Sequence, residues 1–134
     1  MNASYDRTRQ DLGNIVLLEH ALAGTLDKVE AEWDTRVALG VVLAAHGYPD
    51  APRRGDAIRG LPAPTDDCRV FHAGTVLHGA DVVVNGGRVP TVTALGGNVS
   101  AAQRRAYEMA EKIRFDGMQF RRDIGHRALA GGRK

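Results

Sequence analysis

The sequence is poor in cysteine, since Cys68 is the only one among its 134 residues. A single cysteine excludes a disulfide within the chain and a zinc site of the cysteine-rich kind. It suits a reducing compartment, so we expect a cytoplasmic protein. The five histidines are scattered, with no pair at the i,i+4 spacing of a helix, and we therefore predict no metal site.

Aromatic residues and long apolar runs are also scarce. Aromatics make up 5% of the chain, so its core must be built from valine, leucine, isoleucine and alanine. No run of eighteen apolar residues is present and the N-terminus has no signal-peptide pattern, so we expect no membrane association and no secretion. The net charge of +2 is too small to indicate a nucleic-acid partner.

What remains is the composition of one globular domain, with 43% hydrophobic and 25% charged residues. Fifteen of the 18 basic residues are arginine. A GC-rich genome explains such a bias without any function. Arginine is also the side chain whose fork pairs with phosphate and carboxylate, so anion recognition stays open as the alternative.

Apolar periodicity predicts a helix over 14–24 that ends at Gly24, then a charged connector in which Trp33 is expected to pack. Residues 36–47 are rich in valine and leucine and predict a buried strand. Further strands are predicted over 68–97. The order of helix, strands and helix indicates an α+β domain with a mainly antiparallel sheet.

Two short patterns refine the strand region. Asn85 and Gly86 lie between valine-rich runs and predict a hairpin with a type I′ turn. Pro90 lacks a backbone donor, so its strand is expected either at a sheet edge or with a bulge at that point.

The clearest helix is predicted to start at Ser100, because Ser100 and Gln103 have the spacing of a capping box. After it, residues 118–129 predict a short strand and a turn, with an ion pair between Asp123 and Arg127. The apolar positions that share one face of the helix are Ala102, Ala106, Met109, Ala110 and Ile113.

The segment HGYPDAPRRGD, residues 46–56, is the first candidate for a binding loop. Its glycines allow the backbone to approach a ligand, and Arg53 and Arg54 supply positive charge. The alternative is a proline-containing turn with solvated arginines. No phosphate-loop or dinucleotide-binding signature is present in the sequence.

Other candidates are weaker. The glycine-rich turn before Ser100 has a capping residue of its own, which argues against an anion site there. His72 is expected to be packed or hydrogen-bonded, and Cys68 has no motif that would stabilise a thiolate. A biotinyl or lipoyl carrier is excluded because the predicted hairpin tip has no lysine.

Four fragments occur in order along the chain: ALGVVLAAHGYPDAPRRGDAIRGL, VFHAGT, GGRVPTVTALGGNVSAAQRRAY and FRRDIGHRAL. Together they resemble the C-terminal domain of the phosphoribosylamine–glycine ligases, also called glycinamide ribonucleotide synthetases. The resemblance covers about residues 36–128 and extends more weakly back to Leu17. At Pro90 the chain departs from the apolar residue usual in the family.

The resemblance implies an ATP-grasp ligase of de novo purine synthesis. Such an enzyme joins glycine to phosphoribosylamine with ATP and magnesium or manganese, and its C-terminal domain is implied to contain a partial barrel. The nucleotide-binding and metal-binding segments of the family lie upstream of the matching region, so we assign no catalytic or metal residue here. The resemblance implies substrate-binding roles for Gly47, Tyr48, Pro49, Arg54, Gly55 and Asp56.

We therefore expect residues 1–14 to be a disordered or non-matching segment and 15–35 to be a remnant of the ATP-grasp region. Residues 36–130 would be the ligase C-terminal domain, and 131–134 a tail. The chain is expected to be inactive alone and to bind no cofactor by itself. Its expected partners are the ATP-grasp domains or a separately encoded protein, with glycine and phosphoribosylamine as substrates. The alternative is a non-catalytic binding or assembly module, or one subunit of a split ligase.

Overall fold

The computed structural model describes residues 15–31 and 33–131. The predictions for the first 14 residues, and for the last three residues of the tail, lie outside the described part. Contacts divide the chain into two compact units, with the boundary between Thr35 and Arg36. Among the described residues, no helix is long and apolar enough to cross a membrane.

The first unit contains a helix, α1, over residues 15–22, and a 3-10 helix over Leu26–Lys28. The predicted N-terminal helix is thus confirmed, and it ends before Gly24. The prediction that Trp33 packs is wrong, because its side chain is 78% exposed. In the described part, the connector has no regular element after the 3-10 helix.

The second unit contains five strands in two antiparallel sheets, which confirms the predicted α+β class. One sheet has the order β1–β5–β2, and the other is the β3–β4 hairpin. The helix α2 packs on β5 and β1. The strands are β1 (Val37–Ala44), β2 (Cys68–His72), β3 (Thr75–His78), β4 (Asp81–Val84) and β5 (Arg88–Gly96).

The predicted buried strand is β1, and its side chains alternate between two faces. Leu39, Val41 and Leu43 are buried in the core, whereas Gly40 and Val42 lie on the exposed face. This alternation follows from the two-residue period of a strand with one covered face.

Pro90 lies in the central strand β5 and is fully buried, so the edge alternative is wrong. The bulge alternative is confirmed. Val42 faces Thr91 but Ala44 faces Arg88, so β5 has one residue more than β1 in this interval. The extra residue allows a proline, which cannot donate a ladder hydrogen bond, in the middle of the sheet.

The predicted hairpin at Asn85–Gly86 is wrong. β4 pairs with β3, whereas β5 pairs with β1 and β2, so the two valine-rich runs belong to different sheets. The Asn85 N–H donates to the carbonyl oxygen of Gly74 at 2.8 Å, and no non-glycine residue in the described part has the positive φ that a type I′ turn needs. The local turn pattern was overridden by pairing between strands.

The capped helix near the C-terminus is α2 (Val99–Ala110), and its predicted apolar face is buried. Its cap differs from the prediction. The helix begins one residue earlier, so Asn98 is the N-cap, and its side-chain oxygen accepts from the Ala101 N–H at 2.9 Å. The Gln103 side chain instead donates to the carbonyl oxygen of Ile124 at 2.7 Å. The predicted capping box at Ser100 is therefore wrong.

Replacing Asn98 with alanine is expected to lower the free energy of unfolding by about 1 kcal/mol, because it removes the acceptor for a free N–H at the helix start. Ser100→Ala is the matched control and should change stability by less than about 0.5 kcal/mol. Urea denaturation of both variants measures the difference. Equal losses would show that Asn98 is not the cap.

The Asp67 side chain links the segment that precedes β2 to the helix α2 through hydrogen bonds. Its carboxylate accepts from the Thr65 hydroxyl at 2.8 Å and from Arg105 at 3.1 Å. The Thr65 hydrogen bond, and then Arg105, hold the pKa of Asp67 below its usual value. The stabilisation is therefore present above the unfolded-state pKa, about 3.9, and is lost as the pH falls through the lower folded-state pKa.

Asp67→Asn is expected to make the loss of stability below about pH 4 less steep than in the parent chain. Because the Asp67 side chain is 42% exposed, its contribution at neutral pH should be about 0.5 kcal/mol or less. Thermal unfolding between pH 2.5 and 7 measures this. Asp81→Asn, at an exposed residue without an ion pair in the described part, is the control, and identical acid slopes for both variants would contradict the assignment.

The C-terminal region was predicted as a short strand and a turn. The strand is reduced to one bridge between Gln119 and Ala44, and the turn is followed by a helix, α3 (His126–Gly131). The predicted pair of Asp123 with Arg127 is replaced by a fork from Arg121, with distances of 2.9 and 2.7 Å. This fork lowers the pKa of Asp123.

Candidate functional site

The loop of residues 46–56 begins where β1 ends and is held by its own backbone. The Ala51 N–H donates to the carbonyl oxygen of Gly47 at 2.9 Å. Gly47 has a φ of +78°, and a Cβ at this position would overlap the Ala51 carbonyl oxygen, so the turn requires glycine. The peptide bond between Tyr48 and Pro49 is cis. The loop thus has a defined conformation rather than that of a simple open turn.

Arg53 is part of the loop's framework. Its guanidinium donates to Asp56 at 2.8 Å and lies 3.4 Å from Asp116, while its backbone N–H donates to His46 at 2.9 Å. The hydrogen bond to Asp56 raises the pKa of Arg53 above its usual value. A guanidinium with two carboxylate partners is not available to a ligand anion.

The end of the loop is tied to β4. The Gly55 N–H donates to the carbonyl oxygen of Val84 at 2.8 Å, and the Val84 N–H donates to the carbonyl oxygen of Asp56 at 2.9 Å. The Asp56 side chain is only 16% exposed. Gly55 and Asp56 therefore fix the path of the chain. Arg54 is exposed and has no ion pair among the described residues, which makes it the available cation of the loop.

A groove of about 450 Å³ lies beside the loop in the second unit. Tyr48 is the one residue of the six candidates that lines it. One wall is the exposed face of β1, and the other is the segment that follows the Gln119 bridge. The lining residues are Gly40, Val42, Ala44, Tyr48, Arg88, Gln119, Phe120, Arg121 and Ile124.

Two contacts fix the end of the groove at Tyr48. The Gln119 side-chain amide donates to the backbone carbonyl oxygens of Ala45 at 2.9 Å and Tyr48 at 3.3 Å. The Tyr48 ring lies against Gly87, where a Cβ would overlap it. The aromatic ring is therefore placed by the backbone of the strand region, and 40% of Tyr48 stays exposed.

The charged residues lining the groove are both arginines, Arg88 and Arg121. Arg121 is bound to Asp123, which raises the pKa of its guanidinium. Arg122, next to it in the chain, lies over the Phe120 ring at 5.0 Å from the centroid. Arg88 is exposed and has no ion pair in the part of the chain that the structure describes. The groove therefore combines an apolar floor with one uncompensated positive charge.

The weaker candidates have structural roles. The His72 ring is hydrogen-bonded to the Thr75 hydroxyl at 3.1 Å, as predicted. Cys68 is buried, and burial raises the pKa of its thiol, which disfavours the reactive thiolate. Within residues 15–31 and 33–131, no three His, Cys, Asp or Glu side chains are grouped as metal ligands.

Sequence reasoning missed Arg88, Gln119 and Arg121, which the fold brings to the groove. The pairing of Arg88 with Ala44 across β5 and β1 places it at the groove, and the Gln119 bridge places Arg121 there. The only signal in the sequence was the excess of arginine, and this excess does not indicate which arginines line a site. Anion recognition by these arginines therefore stays a hypothesis, and the composition could not locate them.

The observed architecture is that of a small antiparallel α+β domain with a helix on one face of its sheet. Residues 38–127 match the family model described as phosphoribosylglycinamide synthetase, C domain. The chain belongs to this family, as its four sequence fragments indicated.

Several curated relatives are phosphoribosylamine–glycine ligases. The phosphoribosylamine–glycine ligase of Ralstonia nicotianae is 51% identical over 123 residues, covering 92% of this chain and 29% of the relative. That of Pseudomonas aeruginosa is 56% identical over 117 residues, covering 87% and 27%. The crystal structure of the Thermotoga maritima ligase superposes with a TM-score of 0.73 at 39% identity, covering 84% of this chain and 27% of that one. The chain thus spans less than a third of these proteins.

Proposed function

We propose that this chain is the C-terminal part of a ligase that converts ATP, glycine and phosphoribosylamine into glycinamide ribonucleotide, ADP and phosphate in de novo purine synthesis. The match of residues 38–127 to the synthetase C domain carries the proposal, and relatives above 50% identity support it. The proposal includes the ATP-grasp type of the whole enzyme and a partial barrel built from both sheets. It also includes a cytoplasmic location, with which the buried free thiol of Cys68 agrees.

The chemistry divides between this chain and the rest of the enzyme. ATP activates the glycine carboxylate as an acyl phosphate, and the amine of phosphoribosylamine then displaces the phosphate. The described residues contain no cluster of metal ligands, and the sequence has no phosphate loop. They do not fit ATP with magnesium or manganese, so we assign no step through that group to this chain.

We assign the loop of residues 46–56 to a wall of the substrate cleft. Its backbone is fixed at Gly47 and at Gly55, and Arg53 holds it to two carboxylates. This leaves Tyr48 and Arg54 exposed on a preorganised turn. A rigid loop costs little ordering entropy when a substrate binds, which is what a cleft wall requires.

A coupled assay for ADP with ATP, glycine, phosphoribosylamine and magnesium tests the proposal. The pure chain should show no turnover. When the whole chain replaces the matching C-terminal region of the Pseudomonas aeruginosa ligase, the chimera should retain turnover. Turnover by the pure chain would overturn the division of labour, and a folded chimera without activity would overturn the assignment to this enzyme.

Arg54→Ala in that chimera is expected to raise the KM for phosphoribosylamine about tenfold, because the exposed cation of the loop is removed. Arg59→Ala removes the same charge from an exposed position just after the loop and is the matched control. Steady-state kinetics of both variants give the comparison. An unchanged KM in Arg54→Ala would remove this residue from the substrate site.

A binding or assembly module is the second candidate, favoured by large apolar side chains that stay exposed. Leu22 is 91% exposed and Leu77 is 71% exposed. Mixing the whole chain with the upstream part of the Pseudomonas aeruginosa ligase separates the two functions. A stable complex without turnover would favour assembly, whereas a complex with turnover would favour the split ligase.

A further inference from the structure

One edge of β1 is almost unpaired. On one side β1 pairs with β5 along its length. On the other side, within the described residues, it pairs only at Ala44, whose N–H donates to Gln119 at 2.8 Å and whose carbonyl accepts from the Gln119 N–H at 3.0 Å. Because one antiparallel bridge has formed at this edge, the rest of its backbone has the geometry that pairs with an extended chain.

The geometry of a strand shows which backbone N–H and C=O groups of β1 lie on the outer edge. Backbone N–H and C=O groups of successive residues in a strand point to opposite edges. Ala44 points outward to Gln119, and Ala45 points inward, with its N–H donating to Gly87 at 2.9 Å. Because the extra residue of the bulge is on β5, the alternation in β1 is regular. Val42, Gly40 and Ala38 therefore point outward, and these groups have no partner among the described residues.

The exposed edge lacks the usual protection. Natural edge strands are blocked by charged side chains, proline or a bulge of their own. Val37–Ala44 is VALGVVLA and has neither a charge nor a proline. Three residues with outward backbone groups, Ala38, Gly40 and Val42, and an apolar surface in one strand are the features that β-strand addition uses.

The groove lies along this edge. Gly40 and Val42 line it on the β1 side, and Phe120 and Ile124 line it on the other. Gly40 has no side chain, and Val42 is 39% exposed, so apolar side chains of an added strand have space between the walls.

The positive charge of the groove indicates what kind of partner can bind there. Arg88, whose Cα pairs with that of Ala44, is the uncompensated cation of the groove, and no carboxylate lines it. A second copy of β1 would bring no acidic side chain to Arg88, because Val37–Ala44 contains none. An extended segment that carries apolar and acidic side chains on the same face, at every second residue, supplies both complements.

We propose that the outer edge of β1 and the adjoining groove bind an extended protein segment as an added strand, with an acidic side chain of that segment paired to Arg88. Backbone hydrogen bonds to Ala38, Gly40 and Val42 supply the attachment. The pairing of its carboxylate with Arg88 fixes the register of the added strand against β1. The proposal concerns a protein partner and is independent of the ligase activity.

Amide shifts of the ¹⁵N-labelled whole chain test the proposal, with the peptide acetyl-Glu-Ser-Val-Ser-Val-amide as the probe, because its Glu and both Val side chains lie on one face of a strand. Saturable shifts are expected at Ala38, Gly40 and Val42. Arg88→Ala should raise the Kd about fivefold or more, which is the effect of losing one close charge pair. Arg69→Ala on β2, which lies outside the groove, should leave the Kd unchanged.

Two further comparisons separate strand addition from simple adhesion. The same peptide with alternate amides N-methylated cannot pair and should bind at least about tenfold more weakly. Gly40→Pro removes the central outward N–H without removing a bond to β5, and it should weaken the parent peptide similarly.

Three results would overturn the proposal. The first is the absence of shifts at these amides with millimolar peptide. The second is equal binding of the N-methylated peptide. The third is a shift of the same amides with protein concentration alone, since this would identify a second copy as the occupant. The N-methylated peptide keeps the test decisive if Gly40→Pro does not fold.

Discussion

Leu43→Ala is expected to lower the free energy of unfolding by about 2–5 kcal/mol, the largest loss at any position discussed for this fold. Leu43 is fully buried at the end of β1, within the core that also contains Val89 and Ile113. Removing its branched end takes apolar contacts from the core and leaves a cavity that neighbouring strands cannot close. Guanidinium denaturation followed by circular dichroism measures the loss.

The matched control is the next residue toward the N-terminus. Val42 faces the groove rather than the core, and Val42→Ala should cost less than about 1 kcal/mol, mainly through strand propensity. A loss for Val42→Ala equal to that for Leu43→Ala would mean that the two faces of β1 are not distinguished. The burial assignment of the sheet would then be wrong.

Gly47→Ala is expected to have the second largest effect, about 2 kcal/mol or more. The residue has a positive φ, which costs a side-chain residue about 1–2 kcal/mol, and its new Cβ would also overlap the Ala51 carbonyl oxygen. Relieving that overlap means opening the turn that places Tyr48 at the groove. Thermal unfolding gives the loss, and the amide shifts of Tyr48 and Gln119 report the movement.

Gly55→Ala separates the cost of the positive φ from the cost of the Cβ overlap. Gly55 also has a positive φ, but a Cβ there meets no atom within 4 Å. Its substitution should cost only the conformational part, about 1–2 kcal/mol, and leave the shifts at Tyr48 unchanged. If the two alanine variants lost the same stability, the close approach of Ala51 to Gly47 would have no energetic role.

The parts of the fold that follow from local physics were predictable from the sequence. The strand β1, the apolar face of α2 and the edge-or-bulge alternative at Pro90 each follow from residue type, from a period or from a missing donor within a few residues. The exposure of every second residue in β1 was not predicted, because the run of valine and leucine indicated a buried strand. The errors arose where a local pattern had a competitor, either elsewhere in the fold or a few residues away. Asn85–Gly86 has the chemistry of a hairpin, but pairing of β4 with β3 determines its conformation. Ser100 has the chemistry of a cap, but Asn98 lies two residues earlier and caps equally well.

The candidate site was only half predictable for the same reason. The loop is contiguous, so its glycines and arginines could be recognised in sequence order. The groove unites residues from β1, β5 and the segment after Gln119, which are far apart in the chain. Two arginines of similar local context also have different partners, since Arg53 binds two carboxylates and Arg54 has no ion pair in the described part. Composition cannot make that distinction, because it depends on which side chains the fold brings near.

The β3–β4 hairpin offers a practical attachment point. Its turn at Gly79 and Ala80 is exposed, a Cβ at Gly79 would meet nothing within 4 Å, and neither residue lines the groove. Exposed loop tips of this kind accept inserted residues with little effect on the rest of a domain. A short peptide tag or a cysteine for a fluorescent dye placed between these two residues would label the domain at a position that does not line the groove.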